Sequence, residues 1–177
     1  MINSDVATHL EKYFKLSRTH YTDGDYALAA FFAITTIEEA AKLLITEAKS
    51  LNEEDRKRQF RKARNHQIKY SYAMVNLISQ SSQYESMPSY LQDEVESWWD
   101  FKKLMKIRNR CLYLRYSRNK QVTTPEKVIN SNLAALLVCV AGIALAELED
   151  YICGLPEGWK TSVLEANNAF RQQYLEE

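Results

Sequence analysis

The chain has 177 residues, about the size of one domain, long enough to bury roughly 70% of its extended surface without a metal or disulfide staple. Its 23 Lys+Arg and 23 Asp+Glu cancel, which excludes a globally basic nucleic-acid coat and an acidic disordered tail. A hydrophobic content of 46% argues against disorder, and four glycines with three prolines are too few for a turn-rich β chain.

The segment MINSDVATHLEKYF has no basic stretch followed by an apolar core, so no secretory leader is expected. Val6, Leu10, Tyr13, Phe14 and Tyr21 recur at helical spacing and predict a first amphipathic helix, with Ser4 or Asp5 as its cap. Asp23-Gly24-Asp25 is a turn signal. A second helix is predicted from Asp25 to Lys49, with Tyr26, Ala30, Ala33, Ile37, Ala41 and Leu44 as its core stripe. Together the first two helices resemble one tetratricopeptide-type hairpin, but no second copy follows at that period.

A third helix is expected from Glu53 to Gln80, and a Ser/Gln-rich link closes at Pro88. A fourth is expected from Tyr90 to Arg118. Within it LYLRY, Leu112 to Tyr116, has strand composition but long helical flanks, and is read as helix. After a loop over Asn119 to Thr124, Thr124 as cap and Pro125 at the first position would open a fifth helix running to Cys153. Gly154, Pro156 and Gly158 break the chain before a sixth helix, Ser162 to Leu175. The expectation is an all-α antiparallel bundle of five to six helices forming one domain over residues 1–177.

The most apolar run, Leu133 to Ala146, would span only ~21 Å as a helix against a ~30 Å bilayer core. It is read as a buried helix, and no membrane partner is expected. Cys111, Cys139 and Cys153 are odd in number and contain no C-x-x-C, which reads as reduced thiols in a cytoplasmic protein. No H-E-x-x-H, E-x-x-H or Gly-rich phosphate loop occurs, so no metal and no cofactor are expected.

Charge is unevenly distributed. Arg56 to Lys69 holds seven basic residues and Lys102 to Lys120 eight, with no carboxylate in either stretch. Packed together, two such helices would offer phosphates one positive face, with Tyr70, Tyr72, Tyr113 and Tyr116 interleaved for base stacking. The contacts expected for RNA are Arg61, Arg64, Lys106, Arg110 and Arg115. A solvated face paired with acidic helices is the competing explanation.

The second helix carries no charge between Tyr26 and Ile37, then reads EEAAK. Glu38–Lys42 and Glu39–Lys42 have helical pairing distances. A carboxylate that turned inward would need a partner, for which His66, Lys69, Arg108 and Asn109 are the candidates. A polar site where three helices converge and a surface salt bridge both remain open here.

Four segments in order then resemble the AbiV abortive-infection family: DYALAAFFAITTIEEAAKLL, HQIK with His66 and Lys69, IRNRCLYLRY, and TTPEKVI, over about Val6 to Leu148. The resemblance implies kinship with the HEPN superfamily, whose helical dimers often act as metal-independent ribonucleases. The HEPN pattern is Arg, commonly followed by Asn, with four to six residues between the Arg and a His. Arg108-Asn109 fits its start, while Tyr113 stands where the His would be. Tyrosine, with a pKa near ~10, is a poor base at neutral pH, though it can serve as an acid. Arg61 and His66 form a second match to the pattern.

For ribonuclease chemistry the assignments are therefore His66 as base or acid, Arg108 as phosphate clamp and Tyr113 as proton donor. Glu39 would orient Arg108 or Lys42, and Glu38, Lys69 and Asn109 would support the site. The expected role is phage defence acting on RNA or the translation machinery, and the expected partners are a second copy of the chain and RNA. The rival expectation is a non-catalytic module that binds a phage protein.

Overall fold

The computed structural model describes residues 4–116 and 122–175. The protein is all-α, with a minor two-stranded hairpin. α1 (Ser4–Thr22) turns Ala7, Leu10, Phe14, Ser17 and Tyr21 inward, a three-four-three-four spacing that keeps one face on the core. Gly24 then takes φ +80°, a left-handed value that few residues other than glycine adopt readily, and Asp25 caps the next helix by accepting from Leu28 N.

α2 (Tyr26–Glu47) and α8 (Ser131–Tyr151) form the centre of the molecule. Every residue from Ala134 to Ala146 is buried, and α2 contributes Ala29, Ala30, Ala33, Ile34 and Ile37 against it. Small residues on both helices let the backbones approach closely. α8 is long and apolar enough to cross a membrane, but 78% of its apolar window is buried inside the protein. Its far end is stitched to α2 by Lys49 N donating to Tyr151 O at 2.8 Å. α9 (Trp159–Tyr174) covers α8, with Trp159 Nε1 donating to Leu145 O.

The expected third helix is interrupted. α3 (Glu53–Lys62) ends at a turn over Ala63 to Asn65, and α4 (His66–Tyr72) begins there. Asn65 causes the break: its side-chain oxygen accepts from Gln67 N and Ile68 N, offering the backbone a cap in place of a continued helix. The chain continues as a π-helical turn, Ala73–Ile78, and α5 (Ser82–Glu85) lies within the Ser/Gln-rich link.

The expected fourth helix is also divided, into α6 (Ser89–Glu96), a 3₁₀ turn over Ser97–Trp99 and α7 (Phe101–Leu112). Trp98 is fully buried, and Asp100 caps α7 by accepting from Lys102 N. LYLRY is not helical beyond Leu112. Tyr113 is extended, and β1 (Arg115–Tyr116) pairs antiparallel with β2 (Val122–Thr123). Alternating large aliphatic and aromatic residues there favour extended backbone over another helical turn. Pro125 opens only a 3₁₀ turn, Pro125–Lys127. Asn130 rather than Thr124 caps α8, accepting from Leu133 N.

Candidate functional site

α2, α4 and α7 pack against one another, and a carboxylate sits at their junction. Glu38 belongs to the buried row Ile34, Ile37, Ala41 and Ile45, and its side chain is only 5% exposed. Four groups surround it. The Tyr70 hydroxyl donates to Oε1, and Lys69 Nζ donates to Oε2 at 3.1 Å. His66 Nδ1 lies 3.0 Å from Oε2, and Arg108 Nε lies 3.3 Å from Oε1. Neither of these last two atoms meets hydrogen-bond geometry and both are shut off from solvent, so the Arg108 contact is an ion pair and the His66 contact is one only when the imidazole is protonated. The Arg108 guanidinium also lies 5.6 Å from the centre of the Phe31 ring.

Local sequence explains the convergence. His66, Lys69 and Tyr70 are at i, i+3 and i+4, which is one helical face, and the Asn65 cap starts α4 so that this face meets α2. Burial disfavours ionised Glu38, but the Tyr70 hydrogen bond and the charges of Lys69 and His66 outweigh it. The carboxyl is held below its ordinary value of 4.5. The same burial, with Glu38 beside it, raises the Tyr70 phenol far above its ordinary range, so Tyr70 stays protonated and donates. Cys111, one turn beyond Arg108, is buried, and burial pushes its thiol up to about 12 although Arg108 pulls the other way.

Three of the four partners expected for an inward carboxylate, His66, Lys69 and Arg108, meet Glu38, while Asn109 does not. Tyr70 was expected to stack on bases and is instead fully buried in the cluster. Its position four residues after His66, on the same face as Lys69, was the available signal. Glu39 does not orient Arg108. It faces outward and pairs with Lys42 at 3.1 Å on the α2 surface.

Asn109 and Tyr113 lie elsewhere. With Lys106 and Arg110 they line a separate cleft of about 320 Å³. Lys106, Asn109 and Arg110 follow i, i+3 and i+4 along α7, Tyr113 comes just past its end, and Arg108 points roughly 150° away around the helix at 3.6 residues per turn. Tyr113 is 61% exposed. The structure thus separates the proton donor expected of Tyr113 from the His66–Arg108 pair. Arg61 and Arg64 are exposed at the end of α3 and in the following turn. Arg115 lies on β1, and its side chain, with Arg118 and Lys120, is outside the described residues.

Among the described residues no group of three or more His, Cys, Asp or Glu is arranged to hold a metal ion. His9 is exposed, whereas His20 is partly covered and stacks on Phe32 with ring centres 5.3 Å apart.

No curated protein and no solved structure matches this chain. A family model does: it matches residues 4–146, from the start of α1 through most of α8, and so contains every residue of the Glu38 cluster. The chain therefore belongs to the AbiV family of HEPN-type proteins, a membership that points to abortive infection, that is, phage defence.

Proposed function

We propose that this protein acts in phage defence by engaging RNA, with the Glu38 cluster as its functional centre. The observation that carries this is the placement of His66. Its Nδ1 is turned to a buried carboxylate at 3.0 Å while the side chain as a whole stays 41% exposed. With Nδ1 turned inward beside the carboxylate, Nε2 is the nitrogen left for proton exchange with a substrate. Arg108 and Lys69 bring two positive charges to one carboxylate, an excess suited to a phosphate.

On this basis His66 takes the 2′-hydroxyl proton as that oxygen attacks the phosphorus, and Arg108 steadies the charge that develops on the phosphoryl oxygens. Lys106, Arg110 and Tyr113 contact flanking phosphates and a base from the other face of α7. Tyr70 cannot supply the proton for the leaving 5′-oxygen, because it is buried and held protonated by Glu38. That proton comes from solvent, and cleavage is correspondingly slow. A homodimer and a cytoplasmic location belong to the same proposal, and sedimentation and cell fractionation test them.

One observation favours a second reading, a non-catalytic module that binds a phage protein. Leu112, Tyr113, Leu114 and Val122 are all exposed around the start of the hairpin, and such a patch suits a protein partner. Purified protein incubated with structured and unstructured RNA, beside His66→Ala and Arg108→Ala, separates the two. Cleavage by the wild type that both substitutions abolish supports the first. Undiminished cleavage by both variants rejects the assigned roles. Tight, salt-insensitive binding of a protein with no RNA affinity establishes the second.

A further inference from the structure

α1 and α9 enclose a surface groove on a part of the molecule distinct from the Glu38 cluster. It consists of two neighbouring hollows of about 470 and 370 Å³ that share Lys15, Arg18 and Ala166. Lys12, Lys15 and Arg18 lie three residues apart along α1, so their cations form a row with a rise of about 4.5 Å per step. Among the described residues, none of the three is within ion-pair distance of a carboxylate.

Arg18 is the most constrained of the row. Its guanidinium lies 5.0 Å from the centre of the Phe14 ring, Nη1 donates to the carbonyl of Ala166 at 3.3 Å, and Nε is shut off from solvent without a hydrogen-bond partner. Burial lowers its pKa, and no acid offsets that cost. Arginine in such a position commonly has a carboxylate beside it, since an uncompensated, partly desolvated cation is unfavourable. A ligand carboxylate would remove the penalty.

We propose that this groove docks an acidic helix of a partner protein, one that carries carboxylates at three- and four-residue spacing along one face. Charge complementarity selects the partner's sign, and the geometry selects its form. Carboxylates three or four residues apart on a helix recur every ~4.5–6 Å, which matches the rise of the cation row, and a groove between two packed helices accepts a third. Glu11 lines one of the hollows and Asp23 the other, so both carboxylates would limit the register of an acidic ligand. α9 lies wholly beyond the residues matched by the family model, so one wall of the groove is not part of what defines the family.

The test uses the full chain and three probes: a synthetic amphipathic helical peptide with glutamates along one face, the same peptide with glutamines, and a single-stranded RNA oligonucleotide. The expected result is salt-dependent binding of the glutamate peptide and at least tenfold weaker binding of the glutamine one. Lys15→Glu combined with Arg18→Gln should lower glutamate-peptide affinity at least tenfold while RNA affinity is unchanged. NMR shifts induced by the glutamate peptide in the unsubstituted protein should fall on α1 and α9, a readout that does not depend on the variant folding. Equal binding of the two peptides, shifts confined to other elements, or displacement of the peptide from α1 and α9 by the RNA would each overturn the proposal.

Discussion

The two faces of α7 meet opposite fates. Arg108 points into the protein and is pinned between a buried carboxylate and an aromatic ring, whereas Lys106, Asn109, Arg110 and Tyr113 point away and line an open cleft. Both sets come from one short sequence, KIRNRCLY, and helical geometry divides them, with Tyr113 just past the end of the helix. A motif that reads as a unit along the chain is therefore two sites in space. One joins three helices while carrying the proposed His66–Arg108 pair, and the other is open to flanking contacts with a ligand. Substitutions on the first should be felt in both stability and cleavage, and substitutions on the second only in binding.

Glu38→Gln should have the largest effect. It keeps the volume but removes the charge that offsets Lys69 and Arg108, and breaking a buried ionic cluster on one side costs about 3–5 kcal/mol. Guanidinium unfolding measures this, and a loss below about 1 kcal/mol would mean that the cluster is not what joins α2, α4 and α7. The same residue sets an acid limit. Because its folded pKa is depressed, the Glu38 contribution is fully present above the ordinary value of 4.5 and is lost as pH falls through the lower folded value. Stability curves of wild type and Glu38→Gln should converge in that acid range. Parallel curves down to the acid transition would show that another carboxylate governs it.

Gly142→Ala calibrates the comparison from a region that touches neither face. A Cβ at this position in α8 would overlap Oδ1 of Asn167, whose amide is held by a hydrogen bond to Gln83. Overpacking of this kind costs about 1–3 kcal/mol, seen as a lowered unfolding midpoint, and RNA affinity should be unchanged at temperatures where the variant is folded. Reduced affinity in a folded variant would show that the binding surface depends on core packing.

On the outward face, Lys106→Ala and Tyr113→Ala should each alter stability by less than about 0.5 kcal/mol. Lys106→Ala should reduce the slope of log affinity for RNA against log salt by roughly 0.7, the value for one phosphate contact on a single strand. Fluorescence anisotropy over a salt series supplies the number. An unchanged slope would remove Lys106 from the interface. The smallest effect is chemical. Iodoacetamide should modify exposed Cys153 at neutral pH and spare buried Cys111, whose thiol is pushed up to about 12, as mass spectrometry of the native protein can establish. Alkylation of Cys111 at a similar rate would mean that the inner face of α7 opens readily.

Much of the fold was legible in the chain. The Gly24 turn, the apolar stretch of α2, the buried run of α8 and the glycine-proline break before α9 all follow from periodicity and turn chemistry. The breaks inside the third and fourth predicted helices were not. Each depends on a single polar side chain, Asn65 or Asp100, winning a local contest for backbone hydrogen bonds, and periodicity does not reveal which side wins. LYLRY failed for a related reason, because strand composition and helical flanks pointed in opposite directions.

The candidate site divides in the same way. Residue types and spacings were enough to nominate His66, Lys69 and Arg108 as partners of a carboxylate, since a charge inside an apolar helix must be compensated. The choice between Glu38 and Glu39 needed the packing of α2, which turns adjacent side chains about 100° apart and buries only one of them. Tyr70 entered the cluster, and Tyr113 left it, for the same reason. Along the chain, order and composition are set by covalent connection. Which side chains face each other is set by how helices pack, and that depends on contacts between residues far apart in sequence.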